Sequence, residues 1–273
     1  MKTSNPVLSR LGQAAERERA AGYAPAGQYG APSYGEPYPT AAGYPAAPPT
    51  TQPMTIDDVV VKTVTLLAIV GASAAAAWVL VPDSLTGAAW IGAALVGLVL
   101  GLVISFSRMA NPALVVTYAV IEGVFVGMVS KFFEVVAGYQ GIVLQAVVAT
   151  FGLFFVMAML YKARVIRATP KFVRGMIAVM AGLFAVMLIN FVLAIFGFNT
   201  GLRDNGLLGI GFSLVCIVVA SLSFVLAFAA VEEGVRLGLP QRYSWTAAFG
   251  ILVSLIWLYV EMLRLLSYFQ GDD

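Results

Sequence analysis

From Val59 onward the chain is a succession of apolar runs, each about as long as a bilayer is thick, separated by short polar breaks. The runs are 59–81, 85–106, 113–136, 141–161, 172–196, 207–231 and 245–269. A helix crossing the ~30 Å hydrocarbon layer needs about 20 predominantly apolar residues, and every run meets that length. Lipid offers no water to backbone N–H and C=O groups, so such a run must satisfy them internally, as a helix does. Pro82, Pro112, Pro170 and Pro240 all fall between runs, where proline starts or ends a helix without losing a hydrogen bond. The pattern predicts an all-α integral membrane protein, a seven-transmembrane-helix bundle over residues 54–273. The weakest division is Gly138-Tyr139-Gln140-Gly141, with only Lys131 and Glu134 nearby. Six spans plus a re-entrant segment is therefore the competing count.

Composition supports this class and removes others. Of 273 residues, 60% are hydrophobic and 11% charged; soluble domains carry about 25% charged residues. The chain has no histidine, which excludes Ser-His-Asp triads, histidine-bearing zinc sites and imidazole switches. Cys216, the one cysteine, lies in an apolar run and reads as a small packed hydrophobe. The net charge of +2 gives no argument for a nucleic-acid partner. Protease, hydrolase, Walker and dinucleotide spacings are absent, so neither an enzyme nor a cofactor is expected.

Residues 1–53 form a different segment, rich in Tyr, Pro, Gly and Ala and nearly without aliphatic side chains. It cannot bury enough surface to offset chain entropy, so it reads as a disordered tail. A short helix over 8–21 would be its one ordered piece. No apolar stretch follows Met1-Lys2, so the start does not read as a signal peptide. Among the inter-run connections, eight Lys and Arg residues lie in the even-numbered ones and two, Lys131 and Arg203, in the odd-numbered ones. The positive-inside rule then places the tail in the cytoplasm and the C-terminus outside.

Ionisable groups inside a membrane are costly and each calls for an explanation. Glu122 lies nine residues past Ala113, ~13 Å deep on a 1.5 Å rise. No cation stands within one helical turn of it, so its partner comes from another helix or it is protonated. Glu261 and Arg264, three residues apart, share a helix face, either as an internal ion pair or as part of a transport site. These three are the ion-pathway candidates. Glu232 and Glu233 end the sixth run as interfacial charges, Lys62 can snorkel from the first, and Asn190 is a neutral interhelical hydrogen-bond donor. Gly97-x-x-x-Gly101 and Gly123-x-x-x-Gly127 are spaced for close helix packing. No metal site is assigned.

Four segments together resemble the Bax inhibitor-1 family, specifically its YccA-like bacterial branch and the actinobacterial-type members with a Tyr/Pro/Gly-rich tail. They are Met54-Thr55-Ile56-Asp57-Asp58-Val59-Val60-Val61-Lys62-Thr63, Tyr118 to Ser130 around Glu122-Gly123, Val231-Glu232-Glu233-Gly234, and Leu258-Tyr259-Val260-Glu261-Met262-Leu263-Arg264. The likeness spans residues 54–270. It implies a seven-helix bundle with a central last helix, and a pH-sensitive calcium leak gated by acids on the sixth and seventh helices. It also implies a plasma membrane and roles in stress response, with a membrane protease as a partner of the lipid-embedded protein. The chain departs from that pattern. The sixth-helix acid falls on Ala227. The seventh falls on Glu261 in one register and on Ser254 in another. Glu122, Glu261 and Asn190 are the oxygen donors left for a calcium-type site, which wants several. The functional expectations are a cation leak, with Ca2+ as the transported ion, or a non-conducting regulator. A small-solute transporter is the third reading, and no internal repeat supports it.

Overall fold

The structure, a computed structural model, describes residues 52–107, 110–198, 200–202 and 206–271. The expected tail lies outside the described residues apart from Gln52 and Pro53, as does the short helix over 8–21. Seven helices follow: α1 Ile56–Leu80, α2 Thr86–Phe106, α3 Pro112–Lys131, α4 Ile142–Lys162, α5 Pro170–Ile195, α6 Leu207–Arg236 and α7 Tyr243–Gln270. Each is long and apolar enough to cross a membrane.

Two of the helix starts, those of α1 and α3, are capped by polar side chains. Thr55 and Asp58 form a reciprocal capping box at α1, with Thr55 Oγ1 accepting from Asp58 N at 3.1 Å and Asp58 Oδ2 from Thr55 N at 3.0 Å. Asn111 caps α3 through Ala113 N at 3.0 Å, with Pro112 in the first helical position. The doubtful division between α3 and α4 is a real break. The chain leaves α3 through a π-turn, Phe132–Val136. It then reverses at Gly138 and Gly141, whose φ angles of 82° and 78° suit glycine. The Glu134 carboxylate accepts from Gly141 N and Val143 N at 3.3 and 3.2 Å and so holds the start of α4. With α4 a full 21 residues, the count is seven rather than six plus a re-entrant segment.

The sixth helix is longer than its apolar run. It continues past Val231 to Arg236 because Arg236 pairs with Glu233 one turn earlier, at 2.6 and 2.8 Å. It ends in a Schellman turn, with Leu239 N donating to Gly234 O, Gly238 N to Val235 O, and Gly238 at φ 61°. α4 ends in the same motif: Val165 N donates to Leu160 O and Arg164 N to Tyr161 O. There the left-handed position is held by Arg164, at φ 60°. A non-glycine side chain in that region costs about 1 kcal/mol.

α7 runs through the middle of the bundle, packed on α1, α3, α4 and α6, with Leu252, Leu258 and Leu263 fully buried. α5 lies at the edge against α6. The chain entering α1 is bridged to the α6–α7 connection: Met54 N donates to Leu239 O at 2.7 Å and Gln241 N to Gln52 O at 2.8 Å. Lys62 strengthens this junction by donating to Gln241 O and Ser244 Oγ and by sitting 5.4 Å from the Trp245 ring centroid.

α1 and α3 approach most closely at Gly123 and Gly127. A Cβ on Gly127 would lie 2.5 Å from the Ala74 carbonyl oxygen and 2.9 Å from its Cα. Backbone cannot step aside as a side chain can, so Gly127→Val must part the two helices. A loss of about 2 kcal/mol or more is expected in denaturant unfolding of the detergent-solubilised protein. Gly152→Ala, whose Cβ meets nothing within 4 Å, should be neutral or mildly stabilising in the same measurement.

Candidate functional site

α3 carries Glu122 on the face turned toward α2 and α7, and α2 makes room for it. A Cβ on Gly97 would stand 2.6 Å from Glu122 Oε1, and one on Gly101 would stand 3.3 Å from the Tyr118 ring. The glycine pair on α2 is thus a slot for an acid and a phenol one turn apart. Tyr118 lines the same cavities as Glu122 one turn away, and its ring packs edge-on against Phe249 of α7 at 5.0 Å. Glu122 is 8% exposed and has no ion pair among the described residues.

On α7, Glu261 is 1% exposed, and its charge is met. Arg264 Nη1 donates to both carboxylate oxygens, at 2.9 and 3.1 Å, and Ser213 Oγ of α6 donates to Oε2 at 3.4 Å. A charge-assisted pair of this kind compensates for desolvation only when the remaining lone pairs also find donors. Ser213 is that extra donor.

Glu122, Glu261 and Arg264 line one cavity of about 440 Å³, walled by α2, α3, α5 and α7. A second cavity of about 490 Å³ adjoins it, and Tyr118 and Glu122 line both. Glu122 therefore stands where the two volumes meet. Trp257 lines the first cavity, and its indole N–H is buried without a partner among the described residues. Water in the cavity would satisfy such a donor. Ser254 lines the second cavity and is hydrogen-bonded to Ser223 of α6 at 2.9 Å. In the register that puts the seventh-helix acid at Ser254, a neutral serine pair thus joins α6 to α7. Ala227, one turn along α6 from Ser223, packs in an apolar cluster.

The remaining sequence candidates lie elsewhere. Asn190 donates to Thr200 in the α5–α6 connection rather than to another helix, and it does not line the charged cavity. Glu232 accepts from the Tyr161 hydroxyl at 2.5 Å, and Glu233 is held by Arg236. Both sit at the end of the bundle where α4 and α6 terminate. Among the described residues, no three acidic, histidine or cysteine side chains converge as a metal cluster would require.

Several residues of the polar framework carry no sequence signal. Ser213 and Ser223 are ordinary small residues in an apolar run. Tyr118 could have been found from its i, i+4 spacing to Glu122. Lys131, counted as a loop charge, is buried. It pairs with Asp83 at 2.7 Å and donates to the last carbonyls of α1, Trp78 O at 3.2 Å and Val81 O at 2.6 Å, as a cation at a helix C-terminus should.

The family described as Bax inhibitor 1 like matches residues 5–271. The chain belongs to that family. The match starts at residue 5 and so takes in most of the tail, beyond the 54–270 carried by the four motifs. No curated protein sequence matches the chain.

The Glu261–Arg264 pair generates a test of its own. Arg264→Met strands a buried carboxylate and should cost about 3 kcal/mol. Adding Glu261→Gln should recover most of that loss, giving a coupling of about 1 kcal/mol or more in a double-mutant cycle of unfolding free energies.

Proposed function

We propose that this Bax inhibitor-like multi-pass membrane protein is a passive, protonation-dependent cation leak, with calcium as the transported ion. The carrying observation is that Glu122, Glu261 and Arg264 all line one intramembrane cavity, with Glu122 at its junction with a second. Ionised Glu122 attracts a cation to that junction, and protonation removes the attraction. Arg264, neutralised by Glu261, limits how strongly a cation is held, as conduction requires weak binding. No enzymatic step and no cofactor enter this reading. The Lys/Arg asymmetry supports an orientation with the tail in the cytoplasm, and the resemblance to bacterial members supports a bacterial plasma membrane.

A second reading is a non-conducting regulator that binds a membrane protease or another stress-response partner. It is favoured by the full compensation of Glu261 by Arg264 and Ser213 and by Ala227 standing where the family acid is expected.

Calcium flux into liposomes separates the two. The leak reading expects flux above empty vesicles that changes between about pH 5 and about pH 8, a range that starts near carboxylate titration. Glu122→Gln should lower that flux about tenfold, equivalent to ~1.4 kcal/mol, and flatten its pH dependence. Protein that refolds well yet conducts nothing at any pH in that range would end the leak reading. Loss of a co-purified membrane partner on deletion of residues 1–50 would then establish the regulator.

A further inference from the structure

Away from the charged cavity, at the end of the bundle where α4 and α6 finish and α1 begins, lies a recess of about 710 Å³. Its polar wall holds Lys162, Arg164, Arg167 and Arg236 together with Glu232 and Glu233. Two of these charges cancel locally, because Arg236 is clamped by Glu233. Glu232 accepts from the Tyr161 hydroxyl and keeps its negative charge, so the other three cations face one carboxylate and the wall is net positive. Lys162, Arg164 and Arg167 have no ion pair among the described residues. The rest of the wall is apolar, including Ile56, Ile166 and Phe228, and Ile56 is well exposed.

The backbone adds an independent observation. Among the described residues Arg164 is the one non-glycine residue at positive φ. α6 closes its identical turn with Gly238, which adopts that conformation without strain. An arginine kept in a glycine position, with its guanidinium lining a recess, is the pattern expected where a side chain is held for binding rather than for folding. Guanidinium groups match phosphate oxygens geometrically as well as electrically.

We propose that this recess binds the headgroup of an anionic phospholipid, with its phosphodiester on Arg164 and Arg167, Lys162 beside them, and its glycerol and upper acyl chain on Ile56, Ile166 and Phe228. The location decides for lipid over a soluble phosphate ester. The recess sits at helix ends, where headgroups lie, and it combines a cationic rim with an apolar wall. Basic pockets between transmembrane helices at this level are where anionic headgroups are recognised. The inference is independent of whether the protein conducts ions.

The test is native mass spectrometry of the full-length protein released from micelles holding phosphatidylglycerol and phosphatidylcholine in equal amounts. The wild type is expected to retain phosphatidylglycerol preferentially, and Arg164→Gly with Arg167→Gln to lose about tenfold of that preference. Arg164→Gly puts glycine where the backbone favours it, so the double variant should melt no lower than wild type; Arg167→Glu alone provides a second variant with the same expected loss. Unchanged preference in both variants overturns the proposal. So does an equal loss in Lys171→Gln with Arg174→Gln, charges outside the recess, because that would mean diffuse surface attraction. Displacement of the retained lipid by millimolar glycerol phosphate would overturn the lipid assignment in favour of a soluble phosphate ester.

Discussion

The bundle depends on close backbone contact along α3. Between helices in lipid there is no hydrophobic driving force, because acyl chains are as apolar as leucine; packing and polar contacts must hold the helices together. On one side, Gly123 and Gly127 let α3 press against Ser73 and Ala74 of α1. On another, Gly97 and Gly101 of α2 receive Glu122 and Tyr118. These contacts bury α3 and bring its one acid into the interior, between two cavities, rather than leaving it facing lipid. The same glycines are therefore a packing device and the reason Glu122 sits inside the bundle.

α7 has a complementary role. It is central, and it is tied to its neighbours through polar atoms: Glu261 to Ser213 of α6, Ser254 to Ser223 of α6, and Tyr259 to Ser130 of α3 at 2.6 Å. Each bond satisfies a group that lipid could not solvate. The two acids of the interior thus live in different settings. Glu261 is neutralised on its own helix and braced by a second one, whereas Glu122 stands beside the Tyr118 ring with no ion pair among the described residues. That contrast sets Glu122 apart from the Glu261–Arg264 pair in the same cavity.

Much of this was legible in one dimension. Run length and the four inter-run prolines predict the seven helices, and the i, i+3 spacing brings Glu261 and Arg264 together. Where the reading differs from the structure, apolarity was the wrong guide. α6 continues five residues beyond its apolar run because Glu233 and Arg236 stabilise another turn, a contribution hydropathy does not register. Lys131 looked like a loop charge because its partners, Asp83 and the last carbonyls of α1, are distant in sequence. Asn190 looked interhelical, yet its partner is Thr200 in a connection.

By itself the sequence determined the class, the number of helices and the scarcity of interior charge, because these follow from local length, hydropathy and side-chain type. Only the tertiary structure decided which charges from different helices meet. Glu122, Glu261 and Arg264 share a cavity because α2, α3 and α7 close around it. Ser213 and Ser223 become partners because α6 lies against α7. Lys162, Arg164 and Arg167 become the wall of a recess because α4, α6 and the start of α1 end at one level. These arrangements bring together segments far apart along the chain, and their geometry is set by helix packing, which the local pattern does not encode.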